Sequence, residues 1–157
     1  MDRDRTAVRL ERGSTGFAHF SDPPLPDVDP RTCRTAWHAA ARAGRGRVGD
    51  FSEQKYPRSF HTATIDDRAG THVALFHAHF PLVAFVAEQR HWHTTEFQDP
   101  PTWAATLNDF GFTILVAPLL QAPLAEADTS ALSAGEWQQI KYWQPETVGA
   151  VLFNEWD

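Results

Sequence analysis

The run Thr71–Ala87, THVALFHAHFPLVAFVA, constrains the fold more than any other stretch. It is almost uncharged and rich in Val, Leu, Phe and Ala. It is too short to span a bilayer, which takes about 20 apolar residues. Broken near Pro81, it reads as two successive strands at the centre of a sheet. The second, 82–87, does not alternate between apolar and polar residues, as expected of a strand covered on both faces. The run also carries His72, His77 and His79, so chemistry, if present, is expected on or beside it.

The flanking pattern is that of an α+β domain. Residues 60–65, FHTATI, read as a strand leading through a turn at 66–70 into the strand of residues 72–79. Residues 92–97 and 112–117 supply further strands. Helices are expected at three places. Asp29 with Pro30 opens the first, with Cys33, Ala36, Trp37 and Ala40 on one apolar face and Gly44 as its stop. Asp99 with Pro100 opens the second, with Trp103, Leu107 and Phe110 inside and Gly111 at its end. Ser133 with Glu136 forms a capping box for the third, which is expected to bury Trp137, Ile140 and Trp143. The tail, TVGAVLFNEWD, fits a helical face of Val148, Val151, Leu152 and Trp156, with a strand as the alternative, and should dock on the body. The expected architecture is one α+β domain at 31–157, with a mostly antiparallel sheet of four to five strands and about three helices. Residues 1–30 read as an N-terminal arm, with a short edge strand at 7–10 as the alternative, followed by a Pro-rich linker, SDPPLPDVDP.

Several function classes drop out. A chain of 157 residues can bury a core without a disulfide or metal. Its single cysteine, Cys33, leaves no internal disulfide and no cysteine-based zinc cluster. The opening MDRDRTAVRLERG lacks the apolar core of a secretory signal, so a cytoplasmic location is expected. GRGRVG at 44–49 matches G-x-G-x-x-G in letters alone. A dinucleotide site needs that motif after a strand and before a helix, and here it follows a helix. No nucleophile elbow, P-loop or H-E-x-x-H is present. Charge is uneven: residues 1–58 carry 11 Lys/Arg against 8 Asp/Glu, and residues 59–157 carry 3 against 12, for a total of −6. An acidic body disfavours nucleic acid and anionic membrane and favours a basic protein partner.

Two constellations remain. The first is histidine. If Ile65 pairs with Val73, then His61 faces His77, and His61, His77 and His79 share one face of the sheet. Such a group suits one transition metal, with Glu88 or Glu96 as a carboxylate ligand, and His91 and His93 repeat the H-x-H spacing. A one-residue slip would dissolve it. The second is C-terminal. Trp137, Trp143, Phe153 and Trp156 form either a small core or, where exposed, a partner hot spot. Trp143, Glu146, Glu155 and Trp156 are the expected partner-binding residues. Together these features point to a non-enzymatic protein-binding module of the immunity or antitoxin kind, with no cofactor. A small metal-dependent enzyme using the histidines is the alternative.

WQPETVGAVLFNEWD, with YPRSFH before it, resembles uncharacterised small proteins of high-GC bacteria that end in W-x-P…VG…FN-x-WD. The resemblance covers about the last two-thirds of the chain. It implies domain limits and no activity.

Overall fold

Asp29 and Pro30 begin the first helix as expected. In the computed structural model, which describes residues 8–87 and 96–156, α1 runs Pro30–Ala43. The Asp29 carboxylate accepts from the Arg31 amide, satisfying one of the orphan donors at the helix start. Cys33, Ala36, Trp37, Ala40 and Ala41 are its buried face. Gly44 ends the helix where a β-carbon would stand 2.5 Å from Cδ1 of Trp103, so only glycine lets that indole close over the helix end. The chain then enters a strand missed by the sequence reading, β1 at Arg47–Ser52. GRGRVG is therefore a helix exit feeding a strand, the reverse of a nucleotide-binding turn.

Four more strands continue the sheet in order: β2 at Phe60–Asp67, β3 at Gly70–His77, β4 at Leu82–Val86 and β5 at Phe97–Gln98. Each pairs antiparallel with the one before. A sixth, β6 at Thr113–Ile114, lies parallel to β4 on its own short path. Of the strand expected at 92–97, residues 92–95 lie outside the described residues. The strand expected at 112–117 is reduced to two residues, because Ala117 already opens a helix. The result is a single α+β domain with a mostly antiparallel sheet.

The β2–β3 register differs from the expected one by a single residue. Ile65 faces His72, Ala63 faces Ala74 and His61 faces Phe76. The turn decides this. Asp67 pairs with Gly70 across a two-residue tip, and Gly70 takes φ +126°, which favours glycine. The Asp67 carboxylate then fastens the tip, accepting from the Ala69 amide at 2.8 Å and from Trp103 Nε1 at 3.0 Å, with His72 Nε2 at 2.9 Å. The expected pairing would need a three-residue tip, and side chains alternate, so the slip moves residues between faces.

Both faces of the sheet are buried. One presents Ala63, Ile65, Ala74, Phe76, Val83 and Phe85 to α1 and to a 3-10 helix at Thr102–Phe110. That helix corrects the second expected one. Pro101, not Asp99, precedes it, Asp99 instead accepts from the Ala117 amide, and Phe110 stays 37% exposed. The other face presents Phe60, Val73, Leu75, Ala84 and Val86 to Leu120 of α2 (Ala117–Leu120), Ile140 of α3 (Ala134–Trp143), Val148, Val151 and Leu152 of α4 (Val148–Leu152), and Phe153.

Residues 8–16, read from sequence as part of an arm outside the domain, close this second face. Leu10 is buried, and the segment makes a parallel bridge at Arg9–Asp128. The amides of Gly13 and Thr15 and the Thr15 hydroxyl all donate to the Glu136 carboxylate. We call this segment the strap. The Pro-rich stretch that follows also lies on the body, with the Val28 amide donating to the Ala78 carbonyl.

Candidate functional site

The register settles where the histidines go. His61 points to the α1 face, and His77 to the strap face, so the structure does not bring His61, His77 and His79 onto one face. Among the described residues no three His, Cys, Asp or Glu side chains stand close enough to share a metal ion. His91, His93 and Glu88 lie outside the described residues.

His77 is fully buried and both ring nitrogens are used. Nε2 donates to the Ser14 carbonyl at 2.9 Å, and Nδ1 accepts from the amides of His79 and Phe80. Burial pushes its pKa down to about 4, against the pull of the Ser14 carbonyl. It is a neutral core imidazole tying the strap to the end of β3. His79 donates from Nδ1 to the Pro26 carbonyl and so pins the Pro-rich stretch. His61 accepts from the Gln54 amide at Nδ1 and stacks on Phe51 at 6.1 Å. Its Nε2 is buried without a hydrogen-bond partner. Burial lowers its pKa. Glu53 and the Val28 carbonyl oppose this, the latter without hydrogen-bond geometry to Nε2. Cys33 is equally inert: burial, reinforced by Asp29, pushes its thiol up to about 12, leaving no thiolate at neutral pH.

The C-terminal constellation divides. Trp143 and Trp156 come together, nearly parallel, with ring centroids 6.3 Å apart. Tyr142 packs edge-on against Trp143 at 5.1 Å and is 77% exposed. Phe153 leaves the group for the core, against Phe60 and His77. Glu146 is exposed, on a shallow groove it shares with Trp137, Pro145, Pro123 and Leu124. Glu155 turns away from the aromatic surface toward Arg58, at 3.7 Å, in a largely buried ion pair.

The capping box explains why only Ile140 of the expected buried stripe of α3 is inside. The Ser133 hydroxyl accepts from the Glu136 amide, and the Glu136 side chain returns to the Ser133 amide. That folds Glu136 back over the helix start, where it also receives the strap. Glu136 and Ile140 therefore face inward, while Trp137 and Trp143 are left more than a third exposed. Sequence reasoning missed Tyr142 as a surface residue for the same reason. The signal was present in Ser133 and Glu136, since a capping box fixes which way the third residue of a helix points.

Comparison with models of protein families, with curated proteins and with solved structures finds no match. No helix among the described residues is long and apolar enough to cross a membrane.

Proposed function

We propose that the chain is a non-enzymatic protein-binding module of the immunity or antitoxin kind, with a basic protein as partner. The observation that carries this reading is the pair of exposed rings Tyr142 and Trp143 at the end of α3, with the half-buried Trp156 stacked behind Trp143. Tyr and Trp dominate binding hot spots because they bury much area at small entropic cost. The acidic balance of residues 59–157 supports a basic partner, and among the described residues Glu146 is the exposed carboxylate nearest in sequence to the rings. Glu155 is reassigned to holding Arg58.

The test is affinity capture from the native host followed by kinetics with the captured partner. Tyr142→Ala with Trp143→Ala should weaken binding by at least about tenfold, as for hot-spot residues. Glu146→Lys should slow association and flatten its salt dependence, whereas Glu155→Lys should act on stability. A partner whose binding ignores the two aromatic substitutions, or whose association rate ignores salt, overturns the reading.

A further inference from the structure

Beneath the strap lies a cavity of about 230 Å³ that no contact described so far uses. Its walls are Leu10 of the strap, Phe80, Leu82 at the start of β4, Leu115, Leu119 of α2 and Leu152 of α4. We propose that this cavity is a binding site for one small, neutral, apolar ring molecule of the indole or methylbenzene class.

Size and chemistry both define the ligand. Native interiors leave few voids larger than a water, because wall atoms facing empty space forgo their dispersion contacts. An apolar cavity of about 150 Å³ stays dry and takes up benzene, so this larger one accommodates a substituted or fused ring. The open side is marked by the exposed residues Arg9, Glu11 and Pro81. The two charges there are already committed. Arg9 Nε donates to the Glu11 carboxylate at 2.8 Å, and Arg9 also lies 3.8 Å from the Asp128 carboxylate. An ionised head group drawn in against the leucine and phenylalanine walls would lose its hydration with no buried partner, so the site selects against both carboxylates and amines.

The site is also preorganised. The strap wall is held by the Arg9–Asp128 bridge on one side and by the Glu136 carboxylate on Gly13 and Thr15 on the other. A ligand therefore pays little to order it.

The experiment titrates indole into the protein, with benzoate and benzylamine as charged controls. Thermal melting and the methyl carbon signals of labelled leucine are read together. Indole should raise Tm saturably. It should move the methyl signals of Leu10, Leu119 and Leu152 and leave Leu107, on the opposite face of the sheet, in place. Leu119→Trp should fill the cavity and weaken indole binding by at least about tenfold. Absence of methyl shifts at soluble indole concentrations overturns the proposal, as do shifts that reach Leu107 equally or unchanged affinity in L119W. Equal binding of benzoate overturns the neutral-ligand assignment. If L119W does not fold, the methyl map of the unsubstituted protein decides alone.

Discussion

The α1 face of the sheet and the strap face bury similar strands by different means. On the α1 face, one amphipathic helix and one 3-10 helix cover Ala63, Ile65, Phe76 and Phe85 with Trp37 at the centre, edge-on to Phe76 and Trp103 at 5.7 Å each. Its polar anchors are two indole N–H groups, Trp37 Nε1 to the Thr64 carbonyl and Trp103 Nε1 to the Asp67 carboxylate, at 3.0 Å each. On the strap face, cover comes from residues near 10, 120, 140 and 150, and it is sewn by buried polar groups. Glu136 gathers the strap amides. Asn154 Nδ2 donates to the Thr15 and Val151 carbonyls, Ser59 Oγ donates to the Leu152 carbonyl, and His77 donates to Ser14. Apolar cover tolerates partial loss. A buried polar network fails when one member is removed, because the partners left behind are desolvated and unpaired. The strap face should therefore be the more sensitive to conservative substitution, and its buried His77 should make it respond strongly to pH.

The largest test removes the cover itself. Deleting residues 148–157 takes Val148, Val151, Leu152 and Phe153 from the strap face. At roughly 1.5–3 kcal/mol each, against a total of about 5–15 kcal/mol, this should unfold the domain. A truncated chain that melts at the full-length temperature would show that the strap face is dispensable. On the other face, Trp37→Ala should cost about 3–5 kcal/mol in urea unfolding while leaving the pH dependence of stability unchanged.

Acid should then test the His77 anchor of the strap face. His77 has a folded pKa of about 4 against an ordinary 6.5, so the unfolded chain takes up the proton first. Its contribution is complete above pH 6.5, falls as the pH drops through this window and levels off below about 4. The loss is on the order of 3 kcal/mol. His61 adds in the same direction. Asp67 and Asp128, whose carboxyls are held below their ordinary 3.8 by His72 and Ser130 respectively, lose their contribution only at lower pH. Urea melts at pH 7 and 4.5 check this. W37A should show the full acid loss and His77→Asn a reduced one. Equal slopes in both would place the acid sensitivity elsewhere.

A smaller effect is expected of Glu136→Gln, which keeps the shape but turns an amide N–H₂ toward donors from the strap. About 1–3 kcal/mol should be lost, with faster amide exchange at Gly13 and Thr15 as the specific sign. Smallest of all, Tyr142→Ala should change stability by no more than about 0.5 kcal/mol, as suits a ring that serves the surface.

The same contrast governs what can be read from the chain. The α1 face was legible because its signals are local: Asp29 and Pro30 at the start, Cys33, Ala36, Trp37 and Ala40 at helical spacing, Gly44 at the end. The α4 helix was legible only in part: the spacing of Val148, Val151 and Leu152 was helical, but it left a strand open, and Trp156 lies beyond the helix end at Leu152. Strand β1 escaped, and so did three further features. The hairpin register turned on one residue of turn length, and with it the shared histidine face. The strap looked like an arm because Glu136, its main partner, lies 123 residues from Gly13. A helix ending at Gly111 was foreseen, but not its later start at Thr102 nor the exposure of Phe110, since three residues per turn and 3.6 residues per turn carry the last apolar residue to different faces. At the candidate site, the Trp143–Trp156 pair follows from the tail folding back on α3. The fate of Glu155 depended on Arg58, which local pattern does not reveal.

The contact between Thr15 and Asn154 spans 139 residues, and this sets a clock on synthesis. Strands β1 to β4 and α1 lie within residues 30–86, so that half of the molecule can assemble while the chain is still being made. Phe60, Leu75 and Val86 then face water until α4 and Asn154 emerge. At the usual 5–20 residues per second that interval is roughly 3–14 s. For this time the nascent chain presents a bare apolar sheet, the kind of surface that holdase chaperones occupy. The yield of folded protein in a cell should thus depend on elongation rate between residues 86 and 154 more than on any step before it.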